Sequence, residues 1–555
     1  MTLRSLLALA AMVLAARCAP PPTTASAPSS PAGTTAPVAA EAADWWRHVA
    51  FLADDDMRGR ETGSPEHRKA ANYVADAFER AGLQPAGSDE YLQPVTFRSR
   101  RIDESKSSLA LVRKGKVTPL VLGDDASFGM RIDAAPEVDA PLVFAGYGLR
   151  IPEASHDDFD GLDVKGKVVV YLAGAPKHVP GALSAHYQSA GERWATLKAL
   201  GAVGTISVAN PRAMDVPWER SAPNRLNAAM ALADPSLDET AGQQLSVAFN
   251  PAKAERLFEG SGHTFAEVLK AADEGTALPR FMLPGTVKAA VAVDTATVES
   301  QNVVGVVRGR DPGLADEFVV LTAHLDHVGI GGEVNGDTIY NGAMDNASGI
   351  ATLLEAARAV TANRPRRSVA FVAVTAEEKG LLGSRYFALN PTVPKTGIVA
   401  NINMDMFLPL YPMKMLMVLG LDESDLGDDV RAVAGAMNVT VQADPEPQRN
   451  RFIRSDQYSF IREGVPALAM KVGYEEGSPE AAIAAAWTHD RYHAPSDDLD
   501  QPIDRGAAAA FTTLVGDLCL KVANRDARPR WKEGSFFKRF ARPVVTDTTA
   551  SAARR

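Results

Sequence analysis

The sequence predicts an α/β fold, a three-layer, mostly parallel (mixed) sheet with helices on both faces, plus an inserted strand-rich domain. Three observations predict it. Continuous apolar runs end abruptly in ionisable residues, at Phe318-Val-Val-Leu-Thr322, Val369-Ala-Phe-Val-Ala-Val374 and Ile398-Val-Ala-Asn-Ile402. Between the first two, Ile350, Leu353, Leu354 and Ala357 share one face of a helix running to Val360. Runs buried on both faces and separated by helices imply strands of a layered parallel sheet. The stretch from 135 to 290 has short strand-like runs and no catalytic constellation of its own.

Size and charge bound the rest. A chain of 555 residues with 46% hydrophobic and 23% charged residues is ordinary soluble protein, too long for one core. Against 58 Lys and Arg stand 68 Asp and Glu, a net charge of −10. That balance argues against a nucleic-acid partner, which needs a concentrated basic face. The two cysteines, Cys18 and Cys519, exclude a disulfide framework and a four-cysteine metal site. Any metal must rest on histidine and carboxylate.

Taken in order, residues 1–18 read as an export signal. Arg4 precedes an apolar run of eleven residues, Leu6 to Ala16, too short to span a bilayer, which needs about 20. Cys18 is either lipid-modified or lies near a plain cleavage site; Arg17 fits poorly as the small residue expected before a lipidated cysteine. The mature protein is therefore expected to be exported, periplasmic or secreted, meeting a membrane only through an anchor at Cys18. No other apolar stretch reads as long enough to cross one. Residues 19–43 are mostly Ala, Pro, Ser and Thr with Glu41 the only charge, a solvated tether. Residues 44–134 open the main domain, with a helix from Pro65 to Gly82 on Ala71, Val74, Phe78 and Ala81. The insert spans 135–290, with strands in Pro141–Gly148, Gly166–Leu172 and Ala199–Val208. The main domain resumes over 291–525. Residues 526–555 form a basic tail, either solvated or docked through Trp531, Phe536, Phe537 and Phe540.

The chemistry follows from where the ionisable residues fall. The first run ends in His324-Leu-Asp326-His327, and Asn341-Gly-Ala-Met-Asp345-Asn-Ala-Ser-Gly349 precedes the helix. The second run ends in Glu377-Glu378, the third in Asp405, and Tyr492-His493-Ala-Pro-Ser-Asp497-Asp498 comes later. In open α/β sheets ligands bind beyond the carboxyl ends of the strands, which would gather these residues in one site. Asp345, Glu377, Glu378 and Asp405 would repel one another in a desolvated cleft unless divalent cations neutralised them. Imidazole beside carboxylate suits zinc. Five ligands exceed the needs of one tetrahedral ion with an open position, whereas a bridging carboxylate joins two ions about 3.5–4 Å apart. Other motifs fail. Gly161 to Lys167 nearly matches a phosphate loop, but Val168 stands where Ser or Thr is required, and neither Gly-x-Ser-x-Gly nor His-Glu-x-x-His occurs.

In that order the motifs resemble the co-catalytic dizinc aminopeptidase family, which includes aminopeptidase Y and glutamate carboxypeptidase II. The resemblance covers about 296–525 strongly and 44–130 loosely, through Gly59-Arg-Glu-Thr-Gly63. Residues 135–290 resemble the protease-associated domain many members carry as an insert. The resemblance implies a zinc-exopeptidase-like fold and two Zn²⁺ ions, with Asp345 bridging, His324 and Asp405 on one ion, and Glu378 and His493 on the other. It implies Glu377 as general base toward water acidified by the cations, handing the proton on to the departing amine. Asp326 would fix the His324 tautomer and Asp497 would do the same for His493. His327 and His489 match no ligand position. Where the family often reads Ser-Asp-His, this chain has Ser455-Asp-Gln457; Tyr458 beside it is either an oxyanion donor or a buried structural tyrosine.

The function so implied is an exported zinc aminopeptidase acting on peptides, its side-chain preference and oligomeric state left open. The alternatives are a related metallo-carboxypeptidase or dipeptidase, with Arg451 and Arg454 binding a substrate carboxylate, and a non-catalytic receptor-like homologue. Retention of all five ligands and the base weighs against the last, and against a one-metal glutaminyl cyclase.

Overall fold

The structure, a computed structural model, describes residues 36–542. The export signal, Cys18, the first part of the tether and the end of the basic tail lie outside the described residues.

Helix α1 (Ala36–Leu52) enters the stretch expected to be a tether. Alanine supplies the helix propensity there, and Trp45, Val49 and Leu52, all fully buried, supply the tertiary anchor. Helix α2 (Pro65–Arg80) starts as its sequence suggests, with the Ser64 side chain accepting the His67 N–H and Pro65 in the first turn. Val74 and Phe78 are fully buried.

The main sheet consists of β1 (Leu92–Ile102), β2 (Ala229–Leu232), β3 (Val293–Val307), β4 (Phe318–His324), β5 (Ser368–Val374), β6 (Ile398–Asn403), β7 (Met415–Leu419), β8 (Thr440–Ala443) and β9 (Ala467–Val472). Their order is β2-β1-β3-β5-β4-β6-β9-β7-β8, with the two-residue strand Gln84–Pro85 also pairing with β3. The central β5, β4, β6 and β9 are mutually parallel; β1, β3 and the β9–β7 pair introduce antiparallel neighbours. Alternate residues of β5 enter different cores. Val369, Phe371 and Ala373 join one, and Ala370, Val372 and Val374 the other. Each buried valine or phenylalanine there contributes about 1.5–3 kcal/mol by leaving water.

Helices α3 (Ser348–Asn363), α4 (Leu426–Ala436) and α6 (Arg505–Asn524) pack with α1 on one face, and α5 (Pro479–Asp490) follows β9 in the chain. Helix α6 is long and apolar enough to cross a membrane, contrary to the expectation that no further stretch would be. Here Phe511, Leu514, Val515 and Leu518 are fully buried in the core.

The strand-rich unit is a separate eight-stranded sheet with its own core around Phe144, Val170, Leu245 and Phe249. It begins earlier than the expected residue 135, because Ser108–Arg113, Lys116–Leu120 and Ala126–Phe128 belong to it. Those strands are only three to six residues long and separated by turns, too short for periodicity to reveal. β1 leads into this unit and β3 leads out, paired from Leu92–Val303 to Ile102–Val293. The tail docks instead of staying solvated. Phe537 is fully buried, and the Trp531 indole N–H donates to the Gly464 carbonyl at 3.2 Å.

Candidate metal centre and its cavity

The carboxyl ends of β4, β5 and β6 lie side by side, so the residues that follow them share one edge. His324 ends β4, Glu377 and Glu378 follow β5, Asp405 follows β6, and Asp345 sits in the turn before α3. His493 arrives from the segment after α5 with φ +50°, and Ala376, just before Glu377, has φ +56°. Left-handed non-glycine residues of this kind cost about 1–3 kcal/mol and cluster where function demands them. Gly342 (φ +61°) is required for a different reason. A β-carbon there would lie 2.1 Å from the Asp345 carbonyl and 2.6 Å from the His327 ring.

Asp345 stands in the middle. Its Oδ1 lies 3.2 Å from His324 Nε2, which is also 3.4 Å from Asp405 Oδ1. Its Oδ2 lies 3.3 Å from His493 Nε2, which is also 3.2 Å from Glu378 Oε2. One carboxylate thus faces two imidazole–carboxylate pairs, one with each oxygen. His327, set aside in the sequence, joins the second pair; its Nδ1 is 2.8 Å from Glu378 Oε1 and 3.7 Å from Asp345 Oδ2. The candidate ligand atoms of His324, Asp345 and Asp405 lie within 4.8 Å of one another, as do those of His327, Asp345 and Glu378.

The hydrogen bonds test whether cations fit. His324 Nδ1 meets the Asp326 backbone carbonyl at 3.0 Å. A carbonyl only accepts, so Nδ1 carries the proton and a neutral ring turns the Nε2 lone pair toward two carboxylate oxygens. Acceptor against acceptor is repulsive unless a proton or a metal ion stands between, and the metal-free cluster meets this need by holding a proton on the ring. His327 Nε2 is buried with no partner, while His327 Nδ1 meets Glu378 Oε1 and Asp405 Oδ1 meets His324 without well-aligned hydrogen bonds, a costly state that bound metal ions resolve. The residues present fit a pair of divalent cations.

The charges agree. Burial lowers the basicity of His324, but Asp345 and Asp405 overcome it and hold the ring well above its usual range. His493 is likewise raised against burial, by Glu378 and Asp345, to about 10. Asp345 and Glu378 are held below the usual carboxylate range despite burial, chiefly by the neighbouring imidazoles. Glu377, touching no ligand oxygen, is pushed up by burial and then by Glu378 and Asp405. The cluster demands positive charge, and Glu377 beside it favours holding a proton.

Two expected roles change. The Asp326 carboxylate does not reach the His324 ring; it accepts the Glu377 N–H at 3.0 Å, the Glu378 N–H at 3.4 Å and the Thr62 hydroxyl at 2.9 Å. Asp326 orients the paired glutamates, and its carbonyl, not its side chain, fixes the His324 tautomer. Asp497 does not hold His493. Its two oxygens accept the N–H groups of Met344 (2.9 Å) and Asp345 (3.0 Å), so it sets the bridging loop. In both cases donors far away in the chain outcompete the sequence neighbour.

Tyr458 is not brought to the cluster. Its hydroxyl meets His186 Nδ1 of the strand-rich unit at 2.8 Å, and burial raises it beyond the usual phenol range. This is the buried structural tyrosine, not an oxyanion donor. Gln457 accepts from Asn403 Nδ2 at 2.8 Å and donates to the Phe452 carbonyl at 2.9 Å, bracing the end of β6. His489 is exposed and bonded to Asp490.

Arg60, within the Gly59–Gly63 motif, was given no role in the sequence. It is buried and donates to the carbonyls of Leu325 (3.0 Å), Asn341 (2.7 Å) and Gly342 (3.1 Å), tying together the loops that carry His324 and Asp345. Arg451 and Arg454, expected to receive a substrate carboxylate, are already paired, Arg451 with Asp444 and Glu446 and Arg454 with Asp215. A cavity of about 430 Å³ opens beside the cluster, with Asp345, Glu377, Asp405 and His493 in its lining.

Residues 302–519 match the model of peptidase family M28. A probable leucine aminopeptidase 2 of Aspergillus fumigatus is 30% identical over 243 residues, 41% of this chain and 45% of that protein. Aminopeptidase Y of Saccharomyces cerevisiae is 27% identical over 189 residues, 33% of this chain and 32% of its own. The chain thus spans less than half the length of these curated relatives. Among solved structures, an aminopeptidase from Aneurinibacillus sp. strain AM-1 superposes with a TM-score of 0.53 at 20% identity, covering 88% of this chain and 95% of that one, which speaks for the shared fold. The strands whose ends carry the cluster, β4, β5 and β6, all fall inside residues 302–519, the stretch that matches the peptidase family M28 model.

Proposed function

We propose that this protein is an exported zinc aminopeptidase that removes N-terminal residues from peptides. The observation that carries the reading is Asp345 shared between His324–Asp405 and His493–Glu378, with Glu377 beside them at the cavity. His324, Asp345 and Asp405 would hold one zinc ion, and Asp345, Glu378 and His493 the other. When bound, the two ions supply Lewis acidity toward water and the scissile carbonyl.

The remaining work falls to the chain. The Glu377 carboxylate accepts a proton from the attacking water and returns it to the departing amine. Its backbone N–H is fixed on Asp326, which aims it independently of the ligands. Arg60 and Asp497 hold the loops of His324 and Asp345 in register.

The test is hydrolysis of aminoacyl p-nitroanilides by zinc-loaded protein, with and without chelator, beside N-acetylated counterparts. Chelator-sensitive cleavage of the free-amine series alone is the expected result. Efficient cleavage of blocked substrates, or chelator-insensitive cleavage, refutes the reading.

A further inference from the structure

Lys471 lies on β9, whose alternate residues Leu468, Met470 and Val472 point into the main core. On the opposite face its neighbours are Ala469 on the same strand and, across the pair, Met417, with Leu419 opposite Ala469. All three are buried and apolar, so the lysine is a charge set into an apolar wall. It lines the same cavity as Glu377 and Asp405. The other basic side chains there have partners: Arg449 with Asp215 and Glu446, Arg451 with Asp444 and Glu446, Arg454 with Asp215, His489 with Asp490. Among the described residues, Lys471 alone of these cations makes no ion pair. The carboxylates nearest in influence are Asp405 and Asp345, which the proposed metal ions claim. Glu476 is also in the lining but is exposed at the rim.

A partly exposed ammonium set beside apolar side chains, near Arg451 and Arg454 and facing the cavity, is a favourable seat for an incoming anion. We infer that Lys471 selects substrates by a carboxylate, so that the cavity takes an acidic side chain, its methylenes against Met417 and Leu419 and its charge on the lysine. The inference rests on the aminopeptidase reading for the site. It also relocates the anion contact from Arg451 and Arg454, which are occupied, to Lys471, which makes no ion pair among the described residues.

The experiment compares zinc-loaded wild-type protein with Lys471→Met and Lys471→Glu. Glutamyl, aspartyl, leucyl and alanyl p-nitroanilides report a side-chain carboxylate, and Leu-Gly against Leu-Gly amide reports a C-terminal one. Calorimetric binding of glutamate against glutamine reads the anion preference without turnover. The expected result is a kcat/KM for acidic residues that falls at least tenfold in Lys471→Met while that of leucyl substrate stays within threefold. The tenfold preference for glutamate over glutamine should vanish in the same variant. Lysyl p-nitroanilide, added to the panel, should gain in Lys471→Glu relative to wild type. Equal loss on every substrate assigns Lys471 to structure and overturns the inference, as does unchanged selectivity or equal binding of glutamate and glutamine by the wild type. A preference confined to Leu-Gly over its amide overturns the side-chain pocket in favour of a dipeptide site. If no substrate is cleaved but glutamate still outbinds glutamine in a Lys471-dependent way, the aminopeptidase reading fails and the anion site stands.

Discussion

His327 Nδ1 stands 2.8 Å from Glu378 Oε1, while the other oxygen of Glu378 lies 3.2 Å from His493 Nε2. The glutamate is therefore gripped between two imidazoles, and only His493 was anticipated to matter. Whether His327 touches the ion or steers Glu378, its loss should act on metal affinity. Substitutions next to a metal ligand commonly cost about 10–100-fold in affinity. His327→Ala is expected to release the second equivalent of zinc in a chelator titration at that much lower competitor concentration, with the first equivalent unaffected. Equal affinity for both equivalents would remove His327 from the site. The metal-free wild type should also melt at lower temperature than the loaded protein, since ligand binding to the folded state stabilises it.

Glu377 gives a sharper separation between binding and chemistry. It touches neither imidazole of the cluster, and its backbone is held by Asp326. Glu377→Gln should lower turnover by about 10²–10⁴-fold, the usual weight of a general base. Zinc content by elemental analysis should stay at two per chain. Loss of zinc together with activity would make Glu377 a ligand instead.

How much of this was legible in the linear order can be argued residue by residue. β4, β5 and β6 were legible because strands buried on both faces read as unbroken apolar runs, and the ionisable residues at their ends marked the edge. Asp345 was legible because its motif and the helix that follows are contiguous. The partners of Asp326 and Asp497 were not, because the Thr62 hydroxyl and the Met344 N–H are 264 and 153 residues away from them. Local proximity suggested an imidazole, and distant donors took the oxygens. Lys471 was hidden for another reason. Its meaning depends on the Met417–Lys471 register, which places it in an apolar wall, and on which arginines already have carboxylates. The early strands of the inserted unit were missed because they are only three to six residues long, too short for an alternating pattern to stand out.

Tyr458→Phe tests the reassigned tyrosine. An oxyanion donor removed in this way lowers turnover by about 10²–10³-fold. A structural hydroxyl bonded to His186 costs only about 0.5–1.5 kcal/mol of stability. The expected result is wild-type kcat with a slightly lower denaturation midpoint. A hundredfold fall in kcat at unchanged stability would restore the catalytic role.

The same contact makes stability depend on pH. Burial, then Arg462 and Arg539, lowers His186 to about 4, against 6.5 for the free side chain. Between those values the unfolded chain binds a proton that the folded chain refuses. Stability from this group is therefore fully present above pH 6.5 and is lost as the pH falls toward 4. The slope is at most about 1.4 kcal/mol per pH unit from one proton. His67, buried against Ser300 and Gln301 and lowered by burial to about 3, adds a second such group with the same sign. Urea unfolding of chelator-treated protein at pH 7.5, 5.5 and 4.5 should show falling stability. His186→Gln, which keeps a polar group opposite the Tyr458 hydroxyl but cannot titrate, should flatten the fall by about one proton. An identical pH slope in wild type and variant would show that His186 charges equally well in both states, and would take the His186–Tyr458 contact out of the acid response.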